Sequence, residues 1–202
     1  KDFFGYNFWI AASLAVSAIP FDNFILLKLA GPLATGIFAA PFKILSSTYQ
    51  FTGSFSRVLA SRYTSFTDDK TAIVFSKKTL PATLLIALTI VVGSQIAAPF
   101  LPFFIGEDFS NSVNVFRILS VGMAFFFVDA IPIAIILYYF GKPKIVFFIT
   151  VFHYLIYTLL LLVLTQSYKE VGASIAFSLS EALTFTALIF YIIYKFKKGN
   201  GH

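Results

Sequence analysis

The segment Ile145–Tyr194, IVFFITVFHYLIYTLLLLVLTQSYKEVGASIAFSLSEALTFTALIFYIIY, decides the fold. Two apolar runs, Ile145–Gln166 and Val171–Tyr194, are parted only by Ser167–Glu170. A bilayer hydrocarbon layer of about 30 Å takes about 20 helical residues to cross, and each run suffices. A gap that short makes the two helices antiparallel neighbours.

The same pattern continues upstream. Asn7–Leu29, Ala34–Tyr63, Leu80–Phe104 and Ser112–Phe140 are also long enough to span. Their connections are Ala30–Pro32, Thr64–Thr79, Ile105–Asn111 and the turn Gly141-Lys142-Pro143-Lys144. The expected fold is therefore all-α, an integral membrane bundle of six helices forming one domain over residues 1–202. Composition agrees. The chain is 58% hydrophobic and 12% charged, with mean hydropathy +0.87, outside the range of soluble domains. It has no cysteine, so disulfides and thiolate metal sites are excluded.

The net charge of +6 does not indicate a nucleic-acid partner, because the lysines sit in gaps between apolar runs. Six spans put Lys1, Lys70, Lys77, Lys78, Lys142, Lys144, Lys195, Lys197 and Lys198 on one side. Lys28 and Lys169 fall on the other, with Arg117 slightly inside the fourth span. The positive-inside rule then places both ends of the segment in the cytoplasm, in a multi-pass cell-membrane protein. The chain begins with Lys1 rather than Met and carries no secretory signal pattern, so a piece of a longer protein is expected.

Within this apolar background Phe38–Ser61, FAAPFKILSSTYQFTGSFSRVLAS, is unusual. Lys43, Ser47, Gln50, Ser54, Arg57 and Ser61 follow at intervals of four and three, which puts them on one helical face. A charge at the bilayer centre costs roughly 2.5–3.5 kcal/mol on insertion scales, tolerable where the stripe faces a watery cavity or a partner of opposite sign. Lys43 and Arg57 stand about 21 Å apart along a helix, so snorkelling from opposite ends is the other reading. Snorkelling, however, does not call for Ser47, Gln50 or Ser54. Fixed cations with hydrogen-bonding side chains suit an anionic, hydroxyl-rich cargo such as phosphates and sugars.

Four further polar residues lie inside spans. Asp22 follows Pro20, and Asp129 precedes Pro132. Proline frees a carbonyl, and a carboxylate beside such a break is a place for a cation or proton. Wetting by headgroups for Asp22, and a basic partner for Asp129, are the structural alternatives. Glu181 lies mid-span, with Ser174 and Ser178 on its face; those hydroxyls also suit helix packing. His153 reads as a packed interhelical hydrogen bond rather than a relay. No metal pattern, cofactor motif or catalytic set is visible.

Phe21–Lys43, FDNFILLKLAGPLATGIFAAPFK, resembles a recurrent piece of polysaccharide and lipid-linked oligosaccharide flippases. The matching positions are Asp22, Gly31, Gly36, Phe38, Ala39, Ala40 and Lys43. Phe38 stands where the family often has tyrosine, and Pro41 departs from the pattern. Phe103–Leu119, FFIGEDFSNSVNVFRIL, is similar to another family piece, with Ile105 in place of an aromatic residue. Phe140–Lys144 resembles the family's Gly-Lys turn, and Glu170–Ala176, EVGASIA, resembles its approach to the last helix of a repeat. The family belongs to the multidrug/oligosaccharidyl-lipid/polysaccharide exporter superfamily, whose members have two six-helix lobes and work by alternating access.

The resemblance implies that this chain is the second lobe, partnered by a preceding six-helix lobe of the same protein and by membrane lipids. It implies a polyprenyl-diphosphate-linked oligosaccharide as cargo, with Lys43 and Arg57 as cationic contacts. Asp22 falls at the family's acidic site and would serve coupling to Na⁺ or H⁺; Asp129 and Glu181 are given the same role from their position inside spans, not from the resemblance. The competing expectations are a cation-coupled drug exporter, whose cavity should be acidic, an enzyme acting on lipid-linked sugars, for which Asp68-Asp69 is an adjacent acidic pair, and a structural subunit without a transport role.

Overall fold

A computed structural model describes residues 2–198 of the chain, and all the regular structure among them is helical. The helices are α1 (Asp2–Ser17), α2 (Phe21–Leu45), α3 (Ser47–Tyr63), α4 (Asp69–Ala97), α5 (Leu101–Ile105), α6 (Ser112–Val128), α7 (Ala130–Ala134) and α8 (Pro143–Lys198). A π-helical segment, Ile135–Tyr139, extends α7. Taken as continuous apolar stretches, four among the described residues are long enough to cross a membrane: Phe4–Tyr63, Asp69–Ile105, Ser112–Tyr139 and Pro143–Lys198. Six separate runs were expected; four appear because two connections stay helical on both sides of a single irregular residue.

Those two stretches fold back on themselves. In α8 the irregular residue is Lys169, at φ 46° and ψ −127°. A straight helix would separate Leu164 and Gly172 by about 12 Å. Instead, a Cβ built on Gly172 would lie 2.2 Å from the Leu164 carbonyl oxygen. Further out, His153 Nδ1 is 2.9 Å from Thr184 Oγ1, and the rings of Tyr157 and Phe177 are 6.0 Å apart. The two arms of α8 are thus an antiparallel hairpin closed at Lys169, and only glycine fits where Gly172 crosses the returning backbone.

In α2 the irregular residue is Gly31, at φ 85° and ψ 176°, a conformation open to glycine and followed by Pro32. Phe21 touches Tyr157 at 5.7 Å between ring centroids, and Phe42 touches Phe177 at 5.4 Å. Since Tyr157 and Phe177 are themselves in contact, Phe21 and Phe42 lie far closer than the roughly 31 Å of a straight helix. The chain reverses at Gly31.

Two proline-linked irregularities shape the interior. The helix lapses at Ala18–Pro20, between α1 and α2. Pro20's counterpart in the second half is Pro132, which offers no N–H to the carbonyl four residues earlier, where the chain passes from α6 through Asp129 to α7. The wide segment after it closes with bonds from Phe140 N–H to Ile135 O and from Lys142 N–H to Ile136 O, both 2.9 Å. Gly141, at φ 60°, then ends the helix.

The core is split into two main clusters. One, near the Gly31 and Lys169 reversals, includes Leu26, Phe38, Leu119, Met123, Leu161 and Phe177. The other, near the lysine-rich end, includes Leu59, Tyr63, Ile136, Tyr139 and Leu188. The outer surface is strongly apolar: Phe4, Phe24, Phe51, Phe103, Phe104 and Phe190 are exposed. Bare phenylalanines in this number suit a hydrocarbon surround. Trp9 packs against Phe147 and Phe148, with Lys144 Nζ 5.5 Å from its ring, an aromatic-cation anchor of the kind found at membrane interfaces.

Candidate functional site

A cavity of about 560 Å³ lies between the two core clusters. The break before α2 supplies Pro20 and Asp22. The second half of α2 gives Phe42, and α3 gives Tyr49. Asp129 comes from the α6–α7 junction. The first arm of α8 contributes His153, Tyr154 and Tyr157, and the second Phe177, Glu181 and Thr184. Asp22, Asp129 and Glu181, three acids scattered over the sequence, therefore line one hollow. Among the described residues no lysine or arginine lines it.

Each acid is held differently. Asp22 Oδ1 accepts the Asn23 N–H at 2.8 Å, and its Oδ2 accepts the Tyr157 hydroxyl at 3.4 Å. Asp129 is 2% exposed, and its Oδ1 is buried without a hydrogen-bond partner. Glu181 is also buried, with Oε1 3.8 Å from His153 Nε2. The Thr184 hydroxyl donates to Ser180 O at 2.8 Å, so its oxygen is left to accept from His153 Nδ1–H at 2.9 Å. That assigns the Nδ1 tautomer to a neutral ring and turns the Nε2 lone pair toward Glu181. A proton on Glu181 then has an acceptor across the hollow, and one on Nε2 makes an ion pair. Among the described residues no three of His, Asp and Glu converge closely enough to hold a metal ion. The acids surround the space rather than meet at a point.

His153 thus makes the interarm hydrogen bond expected of it, and also faces an acid. Ser178 donates to Ile118 O at 2.8 Å, which is the packing role. Arg117, slightly inside the fourth span, is half-buried, and its Nε is buried without a hydrogen-bond partner.

The stripe lies elsewhere. Lys43, Ser47, Gln50, Ser54 and Arg57 are all exposed, alongside Phe51 and Val58. The opposite face of α3 is the one that packs, through Thr48, Thr52, Leu59 and Tyr63. None of the five lines the acidic cavity: α3 packs through Thr48, Thr52, Leu59 and Tyr63 and leaves the stripe on the outer surface. Arg57 Nε donates to Gly53 O at 3.3 Å, and Ser47 Oγ to Ile44 O at 2.9 Å. Among the described residues neither Lys43 nor Arg57 forms an ion pair with a carboxylate.

Sequence reasoning did not single out Tyr49, Tyr154 or Tyr157. The signal was present: Thr150, His153, Tyr154 and Tyr157 recur at helical spacing and mark one polar face in an otherwise apolar run.

The chain is 26% identical, over 187 residues and 91% of its length, to a Shigella flexneri protein named "Putative O-antigen transporter". It spans 44% of that protein's length. No protein-family model matches the chain, and no solved structure matches it. The helices and this likeness together define the class: a multi-pass membrane protein, similar to a transporter rather than to an enzyme.

Proposed function

We propose that the chain is one six-pass lobe of a two-lobe exporter that flips a polyprenyl-diphosphate-linked oligosaccharide by alternating access. The reversals at Gly31 and Lys169 within the four apolar stretches support a reading of six crossings. The relative's name and its greater length support transport of a polysaccharide precursor and a second lobe. Lysine asymmetry supports cytoplasmic ends for the segment, in the cell membrane.

The observation that carries the cargo class is the stripe. Lys43 and Arg57 stand on an exposed helix face, with hydroxyls and an amide between them and no acid neutralising them. On one lobe of a pair, such a face suits the wall of a shared central cavity, where it meets the diphosphate of the cargo. The acidic cavity is then the coupling site. Asp22, Asp129 and Glu181 load the driving cation, and His153 opposite Glu181 favours a proton over Na⁺.

The test is complementation with the full-length protein carrying Lys43→Glu and Arg57→Glu. Surface polysaccharide export should fall to background while membrane insertion is retained. Normal export by the doubly reversed protein would defeat the cargo assignment. One observation favours a second reading, a cation-coupled exporter of cationic drugs: the cavity is acidic and aromatic, and among the described residues no lysine or arginine lines it. On that reading the charge reversals leave drug resistance intact and Glu181→Gln abolishes it.

A further inference from the structure

A second hollow of about 470 Å³ opens on the outer surface, on the far side of the α6–α7 segment from the acids. Its walls are Ile73 and Leu80 of α4, Ile131 and Ile135 of the α7 region, and Phe185 and Ile189 of α8. Apart from Ser76, whose oxygen is 2.6 Å from the Tyr63 hydroxyl and donates to Ala72 O, its polar lining consists of Lys77 and Lys197. Among the described residues no carboxylate lines it.

The two lysines belong to the same end. Tyr139 donates to Asp69 near the start of α4, and its ring packs 6.2 Å from Phe196, the neighbour of Lys197. Lys77 lies two turns into α4 from Asp69. The groove is therefore apolar along most of its length, with Lys197 at its lysine-rich end and Lys77 about 12 Å along α4 from Asp69, both exposed.

We propose that this groove holds an acyl chain of an anionic phospholipid, with its phosphate between Lys77 and Lys197. Charge complementarity argues for this occupant. A bare apolar groove in a bilayer is covered by any lipid, but two exposed lysines on its lining, with no acid beside them among the described residues, select a negative headgroup. Basic pockets between transmembrane helices on the cytoplasmic side recognise anionic headgroups in this way. A volume of this size lies within the range of small-ligand sites. The proposal does not depend on what the protein transports.

The test uses the full-length protein purified in neutral detergent, with phosphatidylglycerol or phosphatidylethanolamine of identical chains added, and native mass spectrometry to count retained lipids. One phosphatidylglycerol should be retained at about one-tenth of the concentration phosphatidylethanolamine needs, an effect on the scale of two lysines acting on one headgroup. The paired change Lys77→Gln and Lys197→Gln alters only exposed side chains and should erase the preference. Ile189→Trp, which fills the groove with both lysines intact, should also remove the retained lipid. Equal retention of the two lipids, or a preference that survives the paired change, overturns the proposal. So does displacement of the lipid by glycerophosphate alone at equal concentration, which would make the site one for a free phosphate.

Discussion

Gly122→Ala introduces a methyl group where α6 and the second arm of α8 meet most closely. The new Cβ would lie 2.7 Å from two ring carbons of Phe177 and 2.9 Å from Ser178 Oγ. Neither neighbour is free to withdraw. Phe177 is 4% exposed and wedged between Phe42 and Tyr157. Ser178 is tied to the Ile118 carbonyl. Overpacking of this kind costs about 1–3 kcal/mol, and each kcal/mol lowers the unfolding midpoint of a chain this size by roughly 2–4 °C. A fall on the order of 5 °C is expected when thermal unfolding is followed in detergent. The cause is tested by a double-mutant cycle. Phe177→Leu removes the ring edge, so Gly122→Ala should cost at least about 1 kcal/mol less in that background than alone. Strict additivity of the two changes would refute the contact, and with it the close approach of these helices beside the cavity.

Three further outcomes are expected. Asp129→Asn should abolish gradient-driven export by the full-length protein in proteoliposomes while leaving insertion intact; undiminished driven export would remove Asp129 from the coupling site. Lys169→Gly should raise the thermal midpoint, since a non-glycine residue held at positive φ carries about 1 kcal/mol or more of strain; an unchanged or lower midpoint would contradict this. Asp68 caps α4, accepting from Thr71 N–H at 2.8 Å and from the Thr71 hydroxyl at 2.7 Å, and these bonds hold its carboxyl below the usual range. With its folded value depressed, its contribution is complete above the unfolded value of about 3.9 and fades as pH falls through the folded one. Asp68→Asn should therefore flatten the acid limb of a midpoint-against-pH curve measured between about pH 5 and 3, and an unaltered limb would dismiss the cap as a pH-sensitive support.

Much of the architecture is legible in the chain because a bilayer imposes length and hydropathy on whatever crosses it. The reversal at Gly31 is written as Gly-Pro between apolar runs. The one at Lys169 is less plain, because Ser167–Glu170 contains neither residue and the turn is made by a lysine forced to positive φ. The acids were identifiable one at a time, by the cost of placing them among apolar neighbours. That they share a hollow was not, since Asp22 and Glu181 are brought together by two hairpins whose relative placement no local pattern encodes. The stripe illustrates the reverse case. Its spacing correctly marks a common face, but periodicity says only that Lys43 and Arg57 point the same way, and Thr52, Leu59 and Tyr63 decided that this way is outward.

The wide helical segment at Ile135–Tyr139 holds one residue of slack in a rod that otherwise has none to spare. Slack of that kind is portable: it passes along a helix by exchanging one carbonyl partner at a time. Shifted to a point before Asp129, it would turn the residues in between by roughly 100°. Pro132 has already relinquished one of the bonds that would resist such a twist. The carboxylate would then swing from the acid-lined hollow toward the groove side, with both flanking helices left standing where they are.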